Sequence, residues 1–455
     1  MDSGPRTQGH RLRTTNYEPR SPNPELRTQN YELRTPNHEH KTPMKTIFVT
    51  LLFVSFSLFS QTSNLQVVKT GDDLLFEKYH DLVKGKRIGL VTNHSAVMSN
   101  GKHLADALSE DKDVKLVALF GPEHGIRGDA PDGKSIQHGV DPKTKVNVYS
   151  LYGKITKPTD EMLKDVDVLM YDIQDVGARF YTFISTLFLT MESAAEHDIP
   201  FIVLDRPNPI RGTEVEGPIR DDSLKSFVGW APMPVAHGMT VGELATMAND
   251  RGWLKNGIKA KLTVVKMEGW KRTLWFDETN LKWIKPSPNM ATMRTAVVYP
   301  GTCFIEGTNV SEGRGSDKPF ENIGAPWIDG EKLAKELNGN NLAGVRFEAI
   351  DFTPVNIERM TTDPKYREQL CYGVYVNVTD RNIFEPVRAG VAVLSAIRKL
   401  FPEKFEFRDR RIHLLAGTPR INEMILRGKS LDEIVNSWKE DVKEFKAARE
   451  KSLLY

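Results

Sequence analysis

Glycine surrounds three ionisable residues in the stretch GPEHGIRG, which contains Glu123, His124 and Arg127. The run directly before it, VKLVALF, is almost wholly apolar and predicts a buried strand. A carboxyl, an imidazole and a guanidinium group on so flexible a backbone can bind a ligand and exchange protons with it, as in an enzyme site. The same residues can also form a surface turn whose charges face water, so the motif alone leaves both interpretations open.

Three further apolar runs end in polar residues. RIGLVTN ends at Asn93, DVLMYDI has Asp172 near its end and leads to Asp175, and PFIVLD ends at Asp205. Helical patterns separate these runs, which is typical of βαβ units and of a mostly parallel sheet in an α/β fold. Open α/β sheets bind ligands at the carboxyl ends of their strands, so we expect the four polar clusters to form the walls of one site.

A long segment rich in glycine and proline follows residue 285. Its stretch EGTNVSEGRG contains Glu306, Asn309, Glu312 and Arg314, and we interpret the segment as a functional loop that can grip a polyhydroxylated anion. A solvated glycine-rich loop is the alternative. The strand CYGVYVNVTD and the amphipathic helix PVRAGVAVLSAIRKLF come later. We therefore predict an α/β domain over 62–285 and a smaller α+β domain over 286–455.

Several other sites are less well supported by the residues. His94, His124 and His138 can be imagined as metal ligands, but no two of them stand at the helical spacing i, i+4. No GxGxxG motif follows the first strand and no GxSxG motif occurs, so neither a dinucleotide site nor a serine hydrolase is indicated. We predict no cofactor. A disulfide between Cys303 and Cys371 is possible, and the sequence does not show whether they meet.

Composition and the amino-terminal region bear on where the protein acts. The formal net charge of +2 over 455 residues, with no dense basic run, gives no indication of a nucleic-acid partner. MKTIFVTLLFVSFSLFSQTS has the order of a secretory signal peptide over 44–61, and its apolar run is too short for a confident membrane span. We expect Met44 to be the true start, residues 1–43 to be a mis-assigned or disordered extension, and the mature protein to be exported, periplasmic or secreted.

Long motifs in one order resemble a known family. GPEHGIRG, YDIQDVGARFYT, DRPNPIRGTEVEGP, HGMTVGELA and YPGTCFIEGTNVSEGRGSDKPFENIGAPW are similar to those of the exo-β-N-acetylmuramidase (NamZ-type) glycoside hydrolases. The resemblance runs from about Val67 to Tyr455. It implies a Rossmann-like amino-terminal domain, a smaller carboxyl-terminal domain and an active site in the cleft between them. It also implies release of N-acetylmuramic acid from the non-reducing end of peptidoglycan fragments.

The resemblance and the strand-end argument together nominate twelve site residues. The candidate catalytic acids are Glu123, Asp172 and Glu306, and which of them donates the proton is left open. The candidate substrate-binding residues are Asn93, His124, Arg127, Asp175, Arg179, Asp205, His237, Asn309 and Arg314. Two alternatives remain for Asp175, which can instead pair with Arg179 or cap the following helix. Arg179 or Arg314 can supply the cation that the lactyl carboxylate of muramic acid requires.

Three hypotheses about function follow. The first is an exported exo-muramidase that needs no metal and acts on muropeptides or disaccharides derived from peptidoglycan. The second is a metal-dependent amidase or esterase that acts on cell-wall material through His94, His124 or His138. The third is a peptidoglycan-binding module that binds sugar without turnover. The oligomeric state and the stereochemical outcome are left open.

Overall fold

A mostly parallel sheet of seven strands is the larger of two sheets in the part of the chain that the structure describes, residues 67–128 and 138–455 of a computed structural model. The predictions for residues 1–43 and 44–61 lie outside the described residues. In chain order the strands of this sheet are β1 Arg87–Thr92, β2 Lys115–Gly121, β3 Gly139–Val140, β4 Asn147–Ser150, β5 Val168–Asp172, β6 Phe201–Leu204 and β7 Leu262–Val265.

The strand order explains how the sheet positions a site. The order is β3-β4-β2-β1-β5-β6-β7, and every neighbouring pair is parallel except β3 with β4. The chain therefore builds outward from β1 in one direction and then in the other, which is the doubly wound arrangement of α/β folds. Thr92 pairs with Asp172, Val91 pairs with Phe120, and Tyr171 pairs with Val203. These pairs align the carboxyl ends of β1, β2, β5 and β6, as the sequence predicts.

Helices flank this sheet because its central strands are buried and apolar on both faces. They are α1 Gly71–Lys78, α2 Leu104–Glu110, α3 Asp160–Leu163, α4 Thr182–Glu196 and α5 Val241–Arg251. A capping box begins α5, since Thr240 Oγ1 accepts from the Glu243 N–H and the Glu243 carboxylate accepts from the Thr240 N–H. Glu243 thus stabilises a helix start.

The smaller sheet and the remaining helices follow in the chain. The sheet is antiparallel with the order β8-β10-β9. The elements are α6 Met293–Thr302, β8 Asn322–Ala325, α7 Gly330–Gly339, β9 Val345–Phe352, β10 Cys371–Val378, α8 Pro386–Leu400, α9 Asp409–Ala416, α10 Arg420–Leu426, α11 Leu431–Asn436 and α12 Lys439–Arg449. The fold is thus the predicted α/β sheet with a smaller α+β part. The stretch SLDEIVNSWKEDVKEF forms α11 and the first part of α12.

The prediction of one long loop after residue 285 is wrong in part, because the segment contains α6. Thr292 caps this helix by accepting from the Thr295 N–H, and the apolar residues of TAVVY are buried. Gly301, near the end of α6, lies where another helix approaches closely. A β-carbon at this position would lie 1.8 Å from the Pro386 carbonyl oxygen at the start of α8. Close helix packing, rather than loop flexibility, accounts for that glycine.

The two sheets share one hydrophobic core, and the described residues, 67–128 and 138–455, form a single compact unit. Phe180 contacts Tyr299 edge to face at a centroid distance of 5.2 Å, and Tyr299 contacts Phe320 in the same way at 4.8 Å. Cys303 and Cys371 are both buried free thiols. None of the helices within residues 67–128 and 138–455 has the length and apolar character to cross a membrane. The boundary near residue 285 stays a prediction.

Candidate active site

A pocket lies where the carboxyl end of the large sheet meets the segment after α6. Its lining includes apolar residues, among them Phe180, Phe183 and Phe320. The polar and ionisable lining residues are Glu123, His124, Tyr152, Tyr181, Thr182, Ser287, Asn289, Tyr299, Cys303, Glu306, Arg314 and Arg411. The pocket therefore combines residues from both predicted domains.

Glu123 reaches the pocket from the turn that follows β2. The next residue, His124, is buried and has a φ of 72°, a backbone conformation that is uncommon outside glycine. Thr182 Oγ1 donates to Glu123 Oε2 at 2.9 Å, and the Tyr152 hydroxyl also hydrogen-bonds the carboxylate. Burial and the adjacent Glu123 raise the pKa of Tyr152, so it stays a hydroxyl donor.

Glu306 enters the pocket from a 3₁₀ turn, Cys303–Gly307, directly after α6. Arg314 Nη2 donates to its Oε1 at 2.9 Å, and Arg411 Nη2 donates to its Oε2. Burial raises the pKa of Glu306, while Arg411 acts in the opposite direction. Two guanidinium groups thus hold this carboxylate in one orientation.

Arg314 is tied into the pocket wall by several groups. Its Nε lies 3.3 Å from Glu312 Oε1, and its guanidinium carbon lies 4.9 Å from the centre of the Phe320 ring. Behind it, Lys365 Nζ donates to Glu312 Oε2 at 2.9 Å. Burial lowers the pKa of Arg314 to about 10, so it remains charged at neutral pH. The segment EGTNVSEGRG is therefore an ordered wall, not a solvated loop.

Asp172 does not line the pocket, contrary to its prediction as a catalytic acid. It is fully buried and forms an ion pair with Arg206, which also donates to Asp72 Oδ2 at 2.6 Å. The side chain turns into the sheet because a buried guanidinium there needs a paired carboxylate. Asp172 therefore belongs to a structural ion-pair network.

Arg179 also lies outside the pocket lining, contrary to its prediction as a substrate-binding residue. Its guanidinium is fully buried and donates to three backbone carbonyl oxygens, those of Pro218, Met233 and Leu415, at 2.7 to 2.8 Å. Burial lowers its pKa to about 9. It is not exposed to a ligand and cannot supply the cation for a substrate carboxylate. Its contacts connect three backbone segments across the core.

Arg127 stabilises the GPEHGIRG turn and does not line the pocket. Its Nε donates to Asp141 Oδ1, and its Nη2 donates to both Asp141 Oδ2 and Asp106 Oδ1, at 2.8 to 2.9 Å. The two carboxylates compensate its charge completely. Substrate binding by Arg127 is therefore not supported by its position.

Asp175 and His237 form a buried pair outside the pocket lining. His237 Nε2 lies 3.4 Å from Asp175 Oδ2, and Asp175 Oδ2 accepts from the Gly177 N–H at 2.7 Å. Asp175 therefore does not pair with Arg179, which was one of its two alternatives. His237 Nδ1 accepts from the Met239 N–H at 3.2 Å. These contacts shape the backbone between β5 and α5.

Asp205, Asn93 and Asn309 also make structural contacts away from the pocket. Asp205 is fully buried and accepts from the Thr240 and Tyr455 hydroxyls, and burial raises its pKa to about 7. Asn93 Oδ1 accepts from the backbone and hydroxyl of Ser95. The Asn309 amide donates to the Lys404 carbonyl and accepts from the Glu406 N–H. All three positions are at turns where short polar side chains satisfy backbone groups.

Four of the twelve nominated residues thus meet in the pocket: Glu123, His124, Glu306 and Arg314. Their roles in binding and chemistry stay predictions. Sequence reasoning missed Tyr152, Thr182 and Arg411. Tyr152 follows the end of β4 and Thr182 begins α4, so the strand-end argument could have included both. Arg411 lies in α9, far along the chain, and no local pattern marks it.

The candidate metal ligands do not form a cluster. His94 Nε2 contacts the Lys285 carbonyl at 2.6 Å, and His138 Nδ1 accepts from the Ser150 N–H at 3.1 Å. Within the ranges 67–128 and 138–455, no group of three His, Cys, Asp or Glu side chains is arranged to hold a metal ion.

Two family models together match nearly all of the chain after residue 87. The model described as "Exo-beta-N-acetylmuramidase NamZ, N-terminal" matches residues 88–294, and the model described as "Exo-beta-N-acetylmuramidase NamZ, C-terminal" matches residues 297–455. The chain belongs to the NamZ family. The two matches meet within α6, and the pocket takes Glu123 from the first NamZ part and Glu306, Arg314 and Arg411 from the second.

Known NamZ relatives agree with this assignment. The chain is 50% identical over 397 residues to the peptidoglycan beta-N-acetylmuramidase NamZ of Bacillus subtilis (strain 168), covering 87% of this chain and 93% of that protein. Two crystal structures of DUF1343 family proteins from Bacteroides fragilis NCTC 9343 are also similar. They are 38% and 36% identical, with TM-scores of 0.79 and 0.70, and each comparison covers 85% of this chain and 99% of the other.

Proposed function

We propose that this chain is an exo-acting glycoside hydrolase that releases N-acetylmuramic acid from the non-reducing end of peptidoglycan fragments by hydrolysing a β-1,4 bond. The observation that carries the proposal is that Glu123 and Glu306 line one pocket in a chain of the NamZ family. Glycosidic cleavage generally uses two carboxyl groups, one that protonates the leaving oxygen and one that acts as base or nucleophile.

Glu123 is the proton donor in this proposal. Its carboxyl group contacts two hydroxyls, those of Thr182 and Tyr152, which orient it without consuming its proton. Protonating the departing sugar oxygen lets the bond to the anomeric carbon break as that carbon develops positive charge. The hydroxyl contacts fix where the proton is delivered.

Glu306 supplies the negative charge that the reaction needs next. Arg314 and Arg411 hold it at both oxygens, so its position is set before substrate arrives. It can stabilise the positive charge at the anomeric carbon, activate the water, or orient the 2-acetamido group of the sugar for substrate-assisted attack. In each route water finally adds to the anomeric carbon. Glu123 takes the proton of this water in the first and third routes. Where Glu306 activates the water, Glu306 takes that proton, and exchange with solvent returns both carboxyl groups to their starting states.

We also propose that the protein is exported. The support is the signal-like order of residues 44–61 together with a polymeric cell-wall substrate. Amino-terminal sequencing of the protein made by its natural host should find the mature chain beginning near residue 62, in a periplasmic or extracellular fraction. A mature chain that retains residues 44–61, or any peptide from residues 1–43, would contradict this part of the proposal.

The activity is tested with an aryl β-glycoside of N-acetylmuramic acid. We expect the purified protein to release the aryl group, and to do so equally well after exhaustive treatment with a chelator. Loss of activity on chelation, restored by a divalent metal, would favour a metal-dependent hydrolase instead. Binding without release over long incubation would favour the non-catalytic binding module.

A further inference from the structure

The ionic groups around the pocket form a continuous series that ends at Arg411. Lys365 contacts Glu312, Glu312 contacts Arg314, Arg314 contacts Glu306, and Glu306 contacts Arg411. The carboxyl group of Glu123 belongs to the same pocket lining.

Arg314 and Arg411 differ in how many contacts their guanidinium groups make and in how exposed their side chains are. Arg314 contacts two carboxylates and the Phe320 ring, and its side chain is 22% exposed. Arg411 is 46% exposed, and among the described residues its guanidinium hydrogen-bonds Glu306 alone, through Nη2. A guanidinium group has five N–H donors in a planar fork, so Arg411 keeps donors for a second anion.

The backbone around Arg411 holds this guanidinium at the pocket edge. The Arg408 N–H donates to the Gly307 carbonyl at 2.7 Å, and the Arg411 N–H donates to the Arg408 carbonyl at 2.8 Å. The first of these bonds ties the start of α9 to the turn that contains Glu306. Arg411 and Glu306 are therefore positioned by one connected piece of backbone, which reduces the ordering entropy of binding a ligand there.

On the basis of the proposed function, we propose that Arg411 binds the lactyl carboxylate of N-acetylmuramic acid and thereby selects it over N-acetylglucosamine. The lactyl ether carries a carboxylate whose two oxygens match the guanidinium fork. Binding would give Arg411 a second carboxylate partner besides Glu306. Arg314, one of the two cations that the sequence offers for this role, instead orients Glu306.

The test measures charge selectivity rather than activity alone. Two aryl β-glycosides are compared, one of N-acetylmuramic acid and one of its lactyl methylamide, which has nearly the same shape and no charge. We expect the unaltered protein to prefer the acid in kcat/KM by about tenfold or more, as for a charge-assisted hydrogen-bonded pair. In Arg411→Gln this preference should fall to near one, through loss of activity on the acid.

Two further variants separate binding from a structural role. Arg411→Lys keeps the charge and loses the fork, so an intermediate preference is expected. Arg410→Gln alters the exposed neighbour in the same helix and should keep the full preference. If Arg411→Gln is too slow to assay, the same preference is measured by calorimetry from the affinities of free N-acetylmuramic acid and its methylamide.

The outcomes distinguish this inference from the proposed function. An unaltered protein that cleaves neither glycoside overturns the proposed function, and the inference falls with it. An unaltered protein that prefers the acid, with the same preference in Arg411→Gln, overturns the inference alone, because a merely structural arginine would slow both substrates equally. Loss of the preference in Arg411→Gln, with its retention in Arg410→Gln, supports the assignment.

Discussion

Thr182 Oγ1 donates a hydrogen bond to Glu123 Oε2 at 2.9 Å, which joins the first residue of α4 to the turn after β2. The amino terminus of a helix carries partial positive charge, so α4 also favours a negative charge at this position. The carboxyl group can therefore give up a proton and be stabilised afterwards.

Replacing Glu123 with Gln should leave the fold intact and lower turnover at least about a hundredfold, the usual range for loss of a general acid. The amide oxygen can still accept from Thr182, so the unfolding midpoint should change little. The loss should be largest for a leaving group that needs protonation and smaller for an activated aryl group. Glu110→Gln, an exposed position in α2, is the matched control. Near-normal rates with a poor leaving group would place the acid elsewhere.

Asp172→Asn should retain most of the turnover and change how stability depends on pH. Burial raises the pKa of Asp172 to about 6, with Asp72 adding to the effect and Arg206 opposing it. Between about pH 4 and 6 the Asp172 carboxyl group is therefore protonated in the folded state and ionised in the unfolded state. The stability contributed by Asp172 is therefore fully present below about pH 4 and is lost as pH rises through about 6, with an upper bound of about 3 kcal/mol.

Urea unfolding of both proteins at several pH values between about 4 and 7 measures this effect. The free energy of unfolding of the unaltered protein, minus that of Asp172→Asn, should decrease as pH rises across this range. An increase over the same range would mean that Asp172 is ionised beside Arg206 throughout. A large loss of turnover in the folded variant would restore Asp172 as a catalytic candidate.

Arg179→Met should destabilise the protein without altering its choice of sugar. The change leaves the carbonyls of Pro218, Met233 and Leu415 without their donor. Each carbonyl that stays unsatisfied lowers the free energy of unfolding by about 1–3 kcal/mol. Denaturant unfolding measures the loss, with Arg410→Met as the exposed control. The ratio of activities on muramic acid and glucosamine glycosides should stay unchanged, and a selective loss on muramic acid would contradict the structural role.

Cys303 and Cys371 should remain reduced. Both thiols are buried, and burial raises the pKa of each, that of Cys371 to about 12, so alkylation of the folded protein should be slow. Unfolding in an alkylating reagent without reductant should add two labels by intact mass. Labels that appear only after reduction would indicate a disulfide.

The sheet could be predicted from sequence because its signals are local. Apolar runs such as VKLVALF and the capping box of Thr240 with Glu243 each specify a structure within a few residues. The helix α6 was missed because glycine and proline near its end resemble loop signals. In the structure Gly301 serves a tight helix crossing with α8 instead.

The site could be predicted only in part because strand-end position does not fix side-chain direction. Glu123 and Asp172 both follow buried strands, yet Glu123 faces the pocket and Asp172 faces a buried guanidinium. Which way each turns depends on partners distant in sequence, such as Arg206. Arg411 was missed for the same reason, since only tertiary structure brings α9 to Glu306.

One incubation shows whether the protein cleaves the bond of a terminal muramic acid. The purified protein is given two disaccharides in separate reactions, N-acetylmuramic acid β-1,4-linked to N-acetylglucosamine and the reverse order, and the released monosaccharides are followed by mass spectrometry. We predict release of both sugars from the disaccharide with muramic acid at the non-reducing end and none from the other. Cleavage of both disaccharides, or of the glucosamine-terminated one alone, would contradict the account.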